Sequence, residues 1–192
     1  MAKRRLTFLL SFLILLLSVG QILAAPAPND KRKETVLQKY LDAKEAYAMW
    51  QASPDKVFIV DVRTPEEYDF VGHPAMARNV PVQTWAGKWD TEKKSMPLVD
   101  NPAFVSTMKK LHKPGDTLIL MCRSGHRSAK AIAKLAEAGF TNVYNMIDGF
   151  EGDKVEDKAN SEFGKRVLNG WRNSKLPWTY ALDEKLIYMP VN

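Results

Sequence analysis

Three features of this chain point to an α/β architecture, a mainly parallel central sheet with helices on both faces. Short apolar runs of β-type residues recur: Val-Phe-Ile-Val at 57–60, Thr-Leu-Ile-Leu-Met at 117–121 and Asn-Val-Tyr-Asn-Met at 142–146. Runs of this kind suit strands buried on both faces. Helical runs alternate with them, and the connections carry helix-start and helix-stop residues. Strands that alternate with helices bury both sheet faces when the strands run parallel.

The elements follow in order. Residues 25–39 are a lead, Pro- and charge-rich up to Lys33 and expected to be flexible. Residues 43–51 form an amphipathic helix that stops before Ser53-Pro54, and 57–60 form the first buried strand. In Thr64-Pro65-Glu66-Glu67 the threonine caps a helix, proline takes the first turn and Glu67 closes a capping box. Asn101-Pro102 repeats the cap-plus-proline signal ahead of Phe104, Val105, Met108 and Leu111, which share one helical face. Pro114-Gly115 ends that helix and turns into the 117–121 strand. A helical run at 129–138, closed by Gly139, leads to the 142–146 strand. Trp171, Pro177, Trp178 and Tyr180 read as a packing clamp, and 181–192 as a C-terminal tail. No internal repeat is present.

Lys3, Arg4 and Arg5 precede an apolar run at 6–17 and the small residues Ala24-Ala25-Pro26-Ala27. That order reads as a secretory signal over residues 1–24, cleaved after Ala24 or Ala25, and implies export, most simply to a periplasm. The alternative is an uncleaved anchor facing the periplasm, since residues 6–25 are long enough to span a bilayer. Without Lys3, Arg4 and Arg5 the formal charge falls from +6 to +3, too mild and too evenly spread for a nucleic-acid partner. The remaining 168 or so residues suit one domain with a real core.

The chain has a single cysteine, in Cys122-Arg123-Ser124-Gly125-His126-Arg127-Ser128, between the 117–121 strand and the 129–138 helix. In a sheet of this kind ligands bind at the carboxyl ends of strands, and Cys122 stands at one. Inward amides, a helix start and two arginines all favour thiolate over thiol, so Cys122 reads as a nucleophile. A buried, inert cysteine does not fit a loop with no apolar residue to bury. One cysteine also excludes an intramolecular dithiol–disulfide cycle. Three scattered histidines offer no metal-ligand spacing, and no cofactor is implied.

Asp61-Val62-Arg63-Thr64-Pro65-Glu66-Glu67-Tyr68, Gly72-His73, Asn79-Val80-Pro81, the Cys122 loop and Asp148-Gly149-Phe150 occur in this order from about Tyr40 to Tyr180. Together they resemble the rhodanese family of sulfurtransferases. The resemblance implies a single rhodanese domain over residues 40–180, and a Cys122 that takes sulfane sulfur from a small anionic donor such as thiosulfate. The resulting persulfide passes its sulfur to a thiophilic acceptor, cyanide or a thiol, or to a protein acceptor. A carrier that serves a dedicated partner and turns over small acceptors slowly is the alternative reading. Related phosphatases place five residues between Cys and the phosphate-binding Arg, and here only four separate Cys122 from Arg127, which favours sulfur transfer.

Arg123 and Arg127 are candidates for the anionic donor, since guanidinium groups suit oxyanions. Gly125 and His126 are expected to line the site chiefly through their backbone. Ser124 and Ser128 are candidates to donate a hydroxyl hydrogen bond to the persulfide, and for Ser128 capping of the following helix is the preferred role. Asp61 and Arg63 are placed near the pocket by the resemblance, with a structural ion pair as the alternative. His73 reads as a loop-fixing hydrogen bonder. The stretch 152–168 reads as an insertion. Trp85 and Trp89, with Lys88, Lys93 and Lys94, lie in a long connection, and core packing is preferred for them over a wall of the active-site mouth or a partner surface.

Overall fold

The computed structural model describes residues 25–189, so the expected signal at 1–24 lies outside the described residues. One sheet runs in the order β1 (Tyr40–Leu41), β7 (Val143–Met146), β6 (Thr117–Met121), β2 (Val57–Asp61) and β3 (Arg78–Asn79), with every neighbouring pair parallel. The helices are α1 (Ala43–Ala52), α2 (Pro65–Val71), α3 (Phe104–Leu111) and α4 (His126–Glu137). A separate antiparallel hairpin, β4 (Gln83–Trp85) with β5 (Leu98–Asp100), stands off the main sheet. Among the described residues no helix is long and apolar enough to cross a membrane.

Successive residues of β6 divide between two cores, as the period of a strand requires. Leu118 and Leu120 pack with Phe104 and Met108 of α3 and with Ala131, Ile132 and Leu135 of α4. Ile119 and Met121 pack on the other face with Ala43 and Ala46 of α1, Phe150 and Trp171. The sheet is therefore covered on both sides, as its apolar strands anticipate.

Local signals set most boundaries. Thr64 and Glu67 form the expected capping box, with Glu67 N donating to Thr64 Oγ1 at 3.3 Å and Thr64 N to Glu67 Oε2 at 3.1 Å. Asn101 does not cap α3; its Oδ1 accepts from Ala103 N at 3.0 Å in a turn, and the helix begins at Phe104. Asp42 caps α1 in a second capping box with Glu45.

The lead differs from expectation, and the tail makes contacts on which the sequence was silent. The lead at 25–39 is docked rather than flexible: Lys33 is buried, and its Nζ donates to both oxygens of Asp153 at 2.7 and 2.8 Å. Composition missed this because the partners lie more than a hundred residues away. The tail at 181–192 also packs where described, since Asn79 N donates to Leu186 O at 2.8 Å.

The expected aromatic clamp closes the second core. Trp171 is fully buried, edge-on to Tyr47 with centroids 5.5 Å apart, and its Nε1 donates to Pro177 O at 2.8 Å. Trp178 meets Phe150 edge-on at 6.0 Å. Trp171→Ala is expected to lower unfolding free energy by about 3–5 kcal/mol, the cost of emptying a large core site. Urea denaturation of the purified chain measures it.

Candidate active site

Cys122 follows directly on β6, whose last residue, Met121, pairs with Asp61 at the end of β2. The loop that holds it turns tightly. Cys122 O accepts from Phe150 N at 2.8 Å, and Arg123 O accepts from Glu151 N at 3.0 Å and Gly152 N at 3.2 Å. Those bonds direct the carbonyls toward 150–152 and away from the sulfur. Two glycines make the approach feasible. Gly149 has φ +62°, and a Cβ there would lie 2.5 Å from Cys122 O. Gly125 has φ +90°, and a Cβ there would collide with Ile147 O.

Gly125 N donates to Cys122 Sγ at 3.1 Å, and α4 begins at the next residue. The sulfur thus sits at the positive end of a twelve-residue helix. Helix α4 starts three residues earlier than residue 129, which corrects the expected role of Ser128. Gly125 occupies the N-cap position, and Ser128 lies inside the first turn with its hydroxyl 3.5 Å from Sγ. That hydroxyl also donates to Asn145 Oδ1 at 2.6 Å, the shorter of its two contacts.

Asn145 is a site residue that the sequence reading missed. It is fully buried on β7, and its Nδ2 donates to Gly125 O at 3.2 Å and Lys33 O at 2.9 Å. One amide therefore joins the lead, the cysteine loop and α4. The available signal was a polar residue inside a buried apolar strand, since such a group requires partners.

Arg127, with Arg123 a candidate for the donor, lines the cavity at Cys122 and is paired with Glu67. Its Nη1 and Nη2 donate to the two carboxylate oxygens at 2.5 and 2.6 Å. Burial pushes the Glu67 carboxyl up, but the Arg127 guanidinium outweighs it and holds Glu67 below its ordinary range. Burial likewise lowers Arg127, and the Glu67 carboxylate more than restores it. The His126 ring is also engaged, with Nε2 2.8 Å from Asp30 Oδ2. Arg32, with His126 second, holds the Asp30 carboxyl well below the usual range.

Asp61 and Arg63 form a sealed ion pair, with Arg63 Nε 3.0 Å from Asp61 Oδ1 and Nη2 2.6 Å from Oδ2. Both are fully buried, and Arg63 also donates to Gly72 O at 2.7 Å and lies over the Phe150 ring. They brace the loop from below and open on neither cavity at the site. His73 fixes its loop as expected, with Nδ1 3.0 Å from Tyr68 O and its ring stacked on Tyr68.

Cys122, 1 % exposed, opens on a cavity of about 440 Å³. Its other walls are Arg123, Ser124 and His126, the Glu67–Arg127 pair, and Trp85, Met96 and Leu98 of the hairpin. Trp85 and Trp89, preferred as core packing, are instead 48 % and 54 % exposed, because the β4–β5 hairpin stands off the sheet. Trp85 is a wall of the mouth. Among the described residues Arg123 has no side-chain hydrogen-bond or ion-pair partner, whereas Arg127 is paired with Glu67.

A buried cysteine at the carboxyl end of a parallel strand, cradled by a glycine turn at a helix start and open to a cavity walled in part by Arg123, marks the candidate site of this α/β domain. Residues 42–156 match the Rhodanese-like domain family model, and the chain belongs to the rhodanese family. It is similar to an uncharacterised protein of Rickettsia conorii, 33% identical over 130 residues that cover 67% of this chain and 87% of the relative. It is also similar to thiosulfate sulfurtransferase 16, chloroplastic, of Arabidopsis thaliana, 35% identical over 91 residues that cover 47% of this chain and 68% of that protein. In fold it is similar to the crystal structure of Rv0390 from M. tuberculosis, at 30% identity and a TM-score of 0.56, over 73% of this chain and 96% of that one. Family and relatives together support a general role in sulfur transfer.

The Glu67–Arg127 pair carries a pH signature. Because the Glu67 pKa is depressed in the folded chain, its stabilisation is present at neutral pH and is lost as pH falls through the folded pKa. Glu67→Gln is expected to cost about 2 kcal/mol at pH 7, since it leaves a partly buried guanidinium unpaired. The gap to wild type should close below the ordinary glutamate range. Urea denaturation of both chains from pH 7 to pH 3 tests this, and a gap independent of pH would count against the pairing.

Proposed function

We propose that this chain is a sulfurtransferase that moves sulfane sulfur from an anionic donor such as thiosulfate to a thiophilic acceptor, cyanide or a thiol, through a persulfide on Cys122. One observation carries the reading: the only cysteine is the strand-end residue whose sulfur accepts the Gly125 amide at 3.1 Å, at the start of α4. A thiolate there attacks the outer sulfur of thiosulfate. The S–S bond of the donor breaks and its electron pair leaves with sulfite. The acceptor then attacks the terminal sulfur of the persulfide and returns the Cys122 thiolate. Negative charge is present at the sulfur throughout, which is what a helix start and inward amides stabilise.

The wall of exposed Trp85 and Met96 with half-buried Leu98 supports a second reading, in which the acceptor is a protein docked over the hairpin and small acceptors turn over slowly. Export is proposed on the N-terminal pattern of Lys3, Arg4 and Arg5, the apolar run and Ala24-Ala25.

Intact mass of the chain is expected to rise by one sulfur after thiosulfate and to return after cyanide, with thiocyanate released over many cycles. Cys122→Ser should gain nothing. Sulfur that loads but leaves slowly favours the carrier, and no loading contradicts thiosulfate as donor. Intact mass of the chain from its native host should also lack residues 1–24 or 1–25; full-length mass contradicts cleavage and favours the anchor.

A further inference from the structure

A second cavity, of about 1030 Å³, lies on the outer side of the cysteine loop and shares Arg123, Ser124 and His126 with the first. Its far wall comes from the 152–168 stretch, which brings in Lys154 and Arg166 as bridge partners. Arg166 Nη1 donates to Gly152 O at 2.5 Å, and Gly152 N in turn donates to Arg123 O at 3.2 Å. The backbone that pins the cysteine loop therefore also positions the Arg166 guanidinium.

Four of the five acids around this cavity, all but Glu156, have other partners. Asp30 is taken by Arg32 and His126, Asp153 by Lys33, and Asp42 by the α1 cap. Burial pushes Asp148 up to about 6, and its Oδ2 accepts from Gly170 N at 3.0 Å. Glu156 is exposed. Among the described residues neither Arg123 nor Arg166 has a salt-bridge partner, although both line this cavity. Burial and then the neighbouring Arg123 charge hold Arg166 below its ordinary value, as expected of two like charges facing one space.

A second cation strengthens the hold on a dianion, and the loop supplies one unpaired guanidinium while Arg127 is tied to Glu67. We propose that Arg166, paired with Arg123 across the shared loop wall, binds the doubly charged oxyanion end of the sulfur donor. The donor class is then a dianion, of which thiosulfate is the simplest. The two cavities meet along the wall of Arg123, Ser124 and His126, so a donor whose sulfonate end sits against the two guanidiniums reaches Cys122 only by straddling that wall. The 152–168 stretch thereby becomes part of donor recognition. The inference rests on the sulfur-transfer reading for the identity of the donor, though not for the existence of the anion site.

Two measurements separate the two. In a Cys122→Ser background, where no sulfur can transfer, calorimetry measures thiosulfate binding with and without Arg166→Gln. Binding about tenfold weaker in the double variant is expected, the range of one lost charge-assisted contact. In the chain with Cys122 intact, Arg166→Gln should raise KM about tenfold for thiosulfate but only about twofold for the monoanion benzenethiosulfonate. Arg166→Lys should restore part of the preference for the dianion, and the melting temperatures should match, which excludes a merely structural loss. Equal binding with and without Arg166, or an equal KM change for both donors, overturns the proposal while sulfur transfer stands. Thiosulfate binding that depends on Arg166, in a chain that never loads sulfur, overturns sulfur transfer from thiosulfate while the anion site stands.

Discussion

The whole site depends on two stretches of backbone that run closer together than a β-carbon allows. Residues 147–152 pass beneath the cysteine loop, and 150–152 donate three amides to the carbonyls of Cys122 and Arg123. The contact exists because Gly149 and Gly125 both lie at positive φ and lack side chains at the points of closest approach. With those carbonyls tied down, the turn is tight enough for α4 to start at His126 and for the Gly125 amide to reach the sulfur. The central sheet supplies the platform: β6 delivers Cys122 and β2 delivers the sealed Asp61–Arg63 pair at the same level.

Charge around the loop is partitioned between structure and chemistry. Glu67 closes the cap of α2 and grips Arg127, so one carboxylate joins a helix start to the cysteine loop. Asp30 grips His126 and brings the lead onto α4. Asn145 completes the frame from beneath, with bonds to the lead, the loop and Ser128. Arg123 and Arg166 stand outside this frame and line the larger cavity. A rigid frame of satisfied polar groups with a few unsatisfied cations at its edge is a reasonable design for holding an anion without deforming.

Much of this was legible locally. The 117–121 strand coincides with β6, the Thr64–Glu67 box caps α2, and Cys122 stands at the strand end where its sequence neighbours place it. What local reading lost were pairings across long sequence separations. Arg127 and Glu67 are 60 residues apart, and His126 and Asp30 are 96 apart. No window of sequence contains both members, so Arg127 looked free and the lead looked flexible. Ser128 was misplaced for a different reason: the helix start depends on the Gly125 turn, and that turn depends on residues 147–152.

The central claim is that the loop holds a sulfur atom on Cys122 against its backbone amides. A crystal of the chain soaked in thiosulfate tests it most directly. One additional sulfur bonded to Cys122 Sγ, within hydrogen-bonding distance of amides between Arg123 and Ser128, is the predicted result. An unmodified Cys122 at full thiosulfate occupancy, or an added sulfur turned away from the loop toward bulk solvent, would contradict it.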